Sequence, residues 1–247
     1  MAKEQLNKLL VERNLCVNID EADRRIVARE VKVDDVYITT PGTKIETDSE
    51  ITIKTGCEYV SRGGLKLKAA IDAFNITVED KKCLDIGSST GGFSDCLLKE
   101  GADKVACVDV NYGQLAWEIR TNPKVEVFER TNIKHVQKND IGAPFDIIVI
   151  DVSFIGLASL APVIANLCFG KEDENQTELI ALVKPEFEAK RAENKDGRVE
   201  DEEVRARTVE EVKQALEKNG FEVVGEIESP IKGKKKGNTE HLIYAKH

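Results

Sequence analysis

The sequence has little with which to hold a metal, a disulfide framework or a membrane. Its six cysteines, at positions 16, 57, 83, 96, 107 and 168, include no Cys-x-x-Cys pair, and the only histidines are His135, His241 and His247. That spacing argues against a zinc signature or a dense disulfide scaffold, so no metal site is expected. Cys83 and Cys107 fall in apolar runs, where a reduced cysteine behaves as a small hydrophobe. No apolar run approaches the ~18 residues of a membrane span. The opening MAKEQLNKLLVERN is charged too often to contain a signal-peptide apolar region. A cytoplasmic location without a membrane partner is the expectation. Net positive charge is lacking too: the formal charge is −9 at pH 7, which weighs mildly against a nucleic-acid partner.

What is present describes a globular chain. Of 247 residues, 41% are hydrophobic and 33% charged, enough for a small and a medium domain. In residues 1–55, Leu6, Leu9 and Leu10, then Ala22, Ile26 and Val27, recur at helical spacing. Asp20 is placed to cap the second helix. VKVDDVYI and ITIK read as short strands on either side of PGTKIETDSE, giving a small α+β module. Residues 56–61 read as a linker.

From residue 62 to 247 the texture is α/β. Helical patterns fall near 62–75, 93–99, 113–120, 156–168 and 201–219. Apolar strands fall near 82–86, 104–109, 124–128, 145–151, 178–184, 222–228 and 240–246. Such alternation implies a mostly parallel, Rossmann-like sheet covered on both faces. The last two strands, joined by a lysine-bearing loop, should form an antiparallel hairpin. EFEAKRAENKDGRVEDEE, residues 186–203, reads as a segment that orders only with substrate. There is no internal repeat, and monomer is the default.

Within that frame, CLDIGSSTGGFSDCLLKEGADKVACVDV, residues 83–110, runs from a strand through a glycine- and serine-rich turn into a helix and a second strand. Ligands of open α/β sheets bind beyond the carboxyl ends of the strands. Gly87, Gly91 and Gly92 permit tight backbone, while Ser88, Ser89 and Thr90 leave room for a ligand. Asp109, closing the next strand, can accept hydrogen bonds from ribose hydroxyls. A dinucleotide site would prefer G-x-G-x-x-G; here Ser89 replaces the second glycine, and Asp85 precedes the turn. An anion beside a pyrophosphate is unfavourable, whereas one beside the sulfonium and amino groups of S-adenosylmethionine is not. The residues therefore point to an adenosyl cofactor with methionine at its other end, against a turn that only packs strand on helix.

Two further charges close apolar strands: Asp151 after FDIIVI and Lys184 after ELIALV. Both belong on the ligand-binding rim. By pattern alone, Lys66 and Glu240 would more often be solvated charges.

The segments SRGGLKL, CLDIGSSTGGFSDCLL, VDVNYGQLAWEIR, RTNI, DVSFI, LVKPEFE and GNTEHLIY together resemble the TlyA family, haemolysin A in older usage. These are ribosomal RNA methyltransferases of the FtsJ/RrmJ-like class, with an N-terminal RNA-binding domain of ribosomal-protein-S-four type. The resemblance covers nearly the whole chain, with the motifs in family order. It implies a class I methyltransferase fold, S-adenosylmethionine as cofactor, and methylation of a ribose 2′-hydroxyl, typically on cytidines of ribosomal RNA. It also implies a catalytic tetrad of Lys66, Asp151, Lys184 and Glu240. The matching cofactor positions run from Asp85 through Gly87, Ser88, Ser89, Thr90, Gly91 and Gly92 to Phe93, with Asp109, Asn132 and Asp151.

A ribose hydroxyl must lose its proton as the methyl group arrives, and lysine at its reference pKa cannot accept it at neutral pH. Burial and a neighbouring positive charge favour the neutral amine, so Lys184 is the expected general base, with Lys66 nearby. Asp151 would orient Lys184, and Glu240 would hold Lys66. For RNA, domains of this type present basic residues on a helical face, matched here by Arg24, Arg25, Arg29 and Lys32. Asp34–Asp35 stands where an Asn-Gly-like turn is usual. Lys234, Lys235 and Lys236 are either a solvated loop or a phosphate contact. The alternatives are a membrane-active haemolysin-like protein, which would need an export signal or a basic amphipathic helix, a nicotinamide-dependent oxidoreductase, and a catalytically inactive RNA-binding protein.

Overall fold

A computed structural model describes residues 3–53, 58–170, 175–233 and 237–247. The chain divides into two compact units, Met1–Glu58 and Tyr59–His247.

The first unit contains β1 (Lys3–Gln5), α1 (Leu6–Glu12), α2 (Ile19–Val27), β2 (Val31–Val33), β3 (Val36–Tyr37), β4 (Lys44–Glu46) and β5 (Ile51–Ile53). β1 pairs with β4, and β2 lies between β3 and β5. The helices bury Leu6, Leu9, Leu10, Ala22 and Ile26 against Val31, Val33 and Ile45. α2 is capped by Asn18 and not by Asp20: the Asn18 side chain accepts from Glu21 N at 2.9 Å. Asp20 instead sits in the first turn, where an acid suits the positive end of the helix dipole. Between β2 and β3, Asp34 and Asp35 both take left-handed backbone, with φ of 47° and 65°. Positive φ at both central residues is what a two-residue hairpin of type I′ requires. The aspartates thus adopt the geometry that Asn-Gly adopts with less strain.

The second unit is built on a seven-stranded sheet. Its elements are α3 (Gly63–Phe74), β6 (Lys82–Ile86), α4 (Gly92–Lys99), β7 (Lys104–Val108), α5 (Trp117–Arg120), β8 (Val125–Phe128), β9 (Ile147–Ile150), α6 (Ala161–Ala165), β10 (Glu178–Val183), α7 (Pro185–Glu188), α8 (Glu202–Lys218), β11 (Glu222–Glu228) and β12 (His241–Lys246). The order is β11-β12-β10-β9-β6-β7-β8. β12 runs antiparallel to both neighbours, and the remaining pairs are parallel. β9 is buried along its whole length, which explains its unbroken run of branched aliphatics: a central parallel strand meets helices on both faces.

One face packs Leu84, Ile86, Ile148 and Ile150 against α6 and α8. The other packs Cys83, Ile147 and Val149 against α3 and α4. Leu67, Ala70 and Ile71 give α3 its buried stripe. Asn75, left-handed at φ 52°, ends that helix, with Ile76 N bonding back to Ile71 O at 3.0 Å. Truncating the fully buried Leu67 to alanine should cost ~2–5 kcal/mol.

The structure departs from the expected elements in two places that matter. The helix expected over 113–120 is only Trp117–Arg120. Ahead of it the chain is a loop, held by Gly113 N on Glu129 Oε1 at 2.8 Å and Ala116 N on Thr90 O at 3.2 Å. The segment 186–203, expected to order only with substrate, is pinned in this structure. It begins in α7, and Asn194 Nδ2 donates to Glu186 O at 2.8 Å. The buried Asn238 clasps it further on, donating to Gly197 O at 2.8 Å and accepting from Val199 N at 3.2 Å. Among the described residues no helix is long and apolar enough to cross a membrane.

Candidate active site

The sheet changes winding direction between β6 and β9: β6, β7 and β8 progress one way, β9 and β10 the other. At such a switch point the connecting loops diverge and leave a crevice beyond the strand ends. The crevice is present, about 690 Å³ in volume and lined from the ends of β6, β7 and β9. That size falls within the roughly 300–1,000 Å³ of small-molecule sites.

The β6 side is made largely of backbone. Gly87, with φ of 85°, passes so close to the Asp151 carbonyl that a Cβ would collide with it. Asp109 accepts from Ser89 N and from Asn111 N, both at 2.7 Å, fixing the glycine turn to the end of β7. Asp85 lies beneath the turn and is fully buried. Its Oδ2 accepts from Ser94 Oγ at 2.5 Å, while Oδ1 has no hydrogen-bond partner among the described residues. Burial drives the Asp85 carboxyl up to about 7, the Ser94 hydrogen bond pulling the other way and Asp151 adding repulsion.

Of the positions expected at the cofactor, Gly87, Ser89, Asp109, Asn132 and Asp151 line the crevice. Asn132 also caps its own turn, accepting from Lys134 N at 3.1 Å. Thr90, Gly91, Gly92 and Phe93 are not part of the lining. Gly91 lies against Leu115 and Ile119, Gly92 against Ser61 and Gly64, and Phe93 is buried in the core. The second half of the turn therefore packs α4 down rather than facing a ligand. Ser88 is buried at the base of the turn. Sequence reasoning missed Asn111, Gln114, Ser153 and Phe154, which also line the crevice. Each lies within a few residues of Asp109 or Asp151, and that adjacency was the available signal.

Beyond the end of β9 the crevice wall carries one charge, Asp151, among Val152, Phe154, Ile155 and Leu160, and further charges stand behind it. Lys184 Nζ lies 2.5 Å from Asp151 Oδ1 and donates to Ser153 Oγ at 3.1 Å. Val183 of β10 pairs with His241 of β12, so Glu240 emerges beside Lys184 although it is far away in sequence. Glu240, only 3% exposed, forms an ion pair with the buried Lys66 of α3. Burial pushes the Glu240 carboxyl up; Lys66 and, more weakly, Lys184 hold it down, and Asp151 pushes it up again. All four expected catalytic residues thus form one electrostatic cluster, which reaches the crevice through Asp151; Lys66, Lys184 and Glu240 are not part of its lining.

Two of the basic positions of the first unit are engaged with neighbouring side chains. Arg25 pairs with Glu21 at 2.9 Å and Glu30 at 3.7 Å, and Lys32 sits 5.1 Å from the Tyr37 ring. Arg24 and Arg29 are exposed. Lys234, Lys235 and Lys236 lie outside the described residues.

Comparison with known proteins adds to this geometry. FtsJ-like methyltransferases match residues 59–247. The "Putative rRNA methyltransferase YqxC" of Bacillus subtilis is 42% identical over 98% of this chain and 85% of its own. The "16S/23S rRNA (cytidine-2'-O)-methyltransferase TlyA" of Mycobacterium tuberculosis is 38% identical over 95% of this chain and 87% of its own. Among solved structures, "Putative hemolysin from Streptococcus thermophilus" superposes with a TM-score of 0.74 at 36% identity, covering 100% of this chain and 89% of that one.

Proposed function

The chain belongs to the FtsJ-like methyltransferase family, and from that premise we propose that it methylates the 2′-hydroxyl of a ribose in ribosomal RNA, on cytidine, with Lys184 as general base. S-adenosylmethionine is the methyl donor of this class of enzyme, and the crevice suits it. The unpartnered buried oxygen of Asp85 offers a counter-charge to a cationic ligand, and Asp109 offers carboxylate oxygens to a ribose diol. When bound, the cofactor supplies an electrophilic methyl group on a sulfonium.

The rest is the work of this chain's own side chains. Lys184 receives the proton that leaves the acceptor hydroxyl. Asp151, 2.5 Å away, stabilises the ammonium that results and keeps the amine aimed. Lys66, held by Glu240, adds fixed positive charge beside the hydroxyl as it becomes an alkoxide. The preorganised charges avoid the solvent reorganisation that the same step would need in water. The single observation that carries the reading is the junction of the Lys184–Asp151 and Lys66–Glu240 pairs beside a crevice at the sheet's switch point.

We assign residues 1–55 to RNA binding, with Arg24, Arg25, Arg29 and Lys32 as phosphate contacts and Lys234, Lys235 and Lys236 as contacts from the larger unit. The enzyme would act as a cytoplasmic monomer on ribosomal RNA or ribosomal subunits. The test is transfer of radiolabelled methyl from S-adenosylmethionine to small and large subunits lacking the modification, comparing wild type with Lys184→Ala. Alkali-resistant label that disappears with the variant is the expected result. Absence of label on every subunit and on free RNA, despite cofactor binding, would overturn the assignment.

A further inference from the structure

Four contacts cross between the chain leaving β9 and the chain leaving β10. Asp151 meets Lys184 at 2.5 Å, and Ser153 meets Lys184 at 3.1 Å. The Phe154 and Phe187 rings are 5.4 Å apart, and Glu188 Oε1 accepts from Leu157 N at 2.5 Å. The first two belong to the catalytic pair; the last does not touch it.

Leu157 begins the helical run that continues into α6, and the residue capping it, Gly156, has no side chain with which to do so. Glu188 supplies the cap from another segment, accepting from the N–H of Leu157. An unsatisfied helix N-terminus attracts a carboxylate through its orphan N–H groups and its dipole. The approach is tight: a Cβ on Gly156 would stand 2.8 Å from Glu188 Oε2 and 3.4 Å from Phe187 O. Gly156 has ordinary negative φ, −71°, so what a side chain here would displace is the Glu188 carboxylate rather than the backbone. Burial pushes the Glu188 carboxyl up, and the backbone N–H groups of Leu157 and Ala158 oppose this. Keeping a carboxyl in such a place suits a group that holds neighbours together.

We propose that Glu188 is a positioning residue for the methyl-transfer site: by clamping Leu157 it sets the path of residues 153–156, and through Ser153 and Asp151 the aim of the Lys184 amine. This deepens, and rests on, the reading of Lys184 as the base. Ser153, Phe154 and Ile155 also line the crevice, so the same clamp shapes the cofactor's wall.

The test uses Glu188→Ala, Glu188→Gln and Gly156→Ala in the full chain. Glutamine keeps a carbonyl oxygen for the Leu157 N–H; alanine keeps none. Glu188→Ala should lower kcat about 10- to 100-fold, the range expected when a reacting group is misplaced by about 1 Å. It should also weaken cofactor binding by calorimetry, and shift the pH at which kcat rises. Glu188→Gln should restore all three to within about threefold, because the acceptor is retained. Gly156→Ala should resemble Glu188→Ala, and combining the two should cost little more than either, as expected for residues acting through one contact. Equal kcat, pH profile and cofactor affinity in Glu188→Ala and wild type, with only the melting temperature lowered, would reduce Glu188 to a structural cap and overturn the proposal. So would equal damage from alanine and glutamine. If Glu188→Ala does not fold, Gly156→Ala and Glu188→Gln decide the matter. Should wild type methylate no RNA, the functional reading fails, while cofactor affinity across the variants still tests the clamp.

Discussion

The two sides of the crevice are built from different materials. On the β6–β7 side the contacts are made by backbone: Gly87 under the Asp151 carbonyl, and Ser89 N and Asn111 N on Asp109. Behind the β9 wall, which Asp151 lines, they are made by long side chains paired across distant segments, Lys184 with Asp151 and Lys66 with Glu240. The difference fits the proposed division of labour: a cofactor retained in the same pose can be recognised by fixed dipoles, whereas a proton in transit needs groups whose charge can change.

If that division holds, variants on the two sides should fail differently. The largest effect belongs to Lys184→Ala, which should lower kcat about 10²–10⁴-fold, the usual contribution of a general base, while the cofactor dissociation constant stays within a few-fold of wild type. Asp109→Asn should do the reverse. It should weaken cofactor binding about tenfold, the scale of one hydrogen bond to a charged group, with kcat at saturating cofactor nearly unchanged. Calorimetric titration alongside single-turnover rates separates the two, and a Lys184 variant that lost cofactor binding in proportion to rate would erase the distinction.

A smaller effect sharpens it. The Asp85 carboxyl titrates near 7 in the folded protein, against about 3.9 in an unfolded chain. The native state therefore binds this proton more tightly, and the contribution of Asp85 to stability falls as pH rises from about 4 to about 7, then levels off. Asp85→Asn should flatten that slope and raise the melting temperature at pH 8, while weakening cofactor binding. In the wild type, cofactor binding below pH 7 should release protons, visible as a dependence of binding enthalpy on the buffer. The smallest effect lies in the first unit. Replacing Asp34–Asp35 with Asn-Gly should stabilise it by about 0.5–1 kcal/mol, by relieving two left-handed aspartates, with no change in kcat. Thermal melts would read it.

The same division governs how much the sequence reveals. The presence of the glycine turn could be read directly, because a tight turn at a strand end demands particular residues at close spacing, but Gly91, Gly92 and Phe93, expected at the cofactor, pack α4 instead. The parallel strands were legible for a similar reason: IIVI and LIALV are buried on both faces and show it. Lys66 and Glu240 read as solvated charges by pattern and became a pair only through the family resemblance, since their contact depends on α3 crossing β12. Asp20 gave way to Asn18 as the cap of α2, a shift of two residues that several polar side chains in a row leave open. Glu188 was invisible for a plainer reason: a carboxylate that caps a helix 31 residues earlier leaves no local trace.

The Lys66–Glu240 pair also spans 174 residues of sequence. Closing a loop of that length costs on the order of 4–5 kcal/mol in chain entropy by the logarithmic rule, and nothing formed earlier along the chain makes that contact. β12, which brings Glu240, is inserted between β10 and β11 rather than added at an edge, so the sheet's interior and the charged cluster are completed together. A chain in which β12 has not paired lacks Glu240 beside Lys66, whatever the state of the glycine turn, and on the proposed mechanism activity should return during refolding no earlier than β12 pairing.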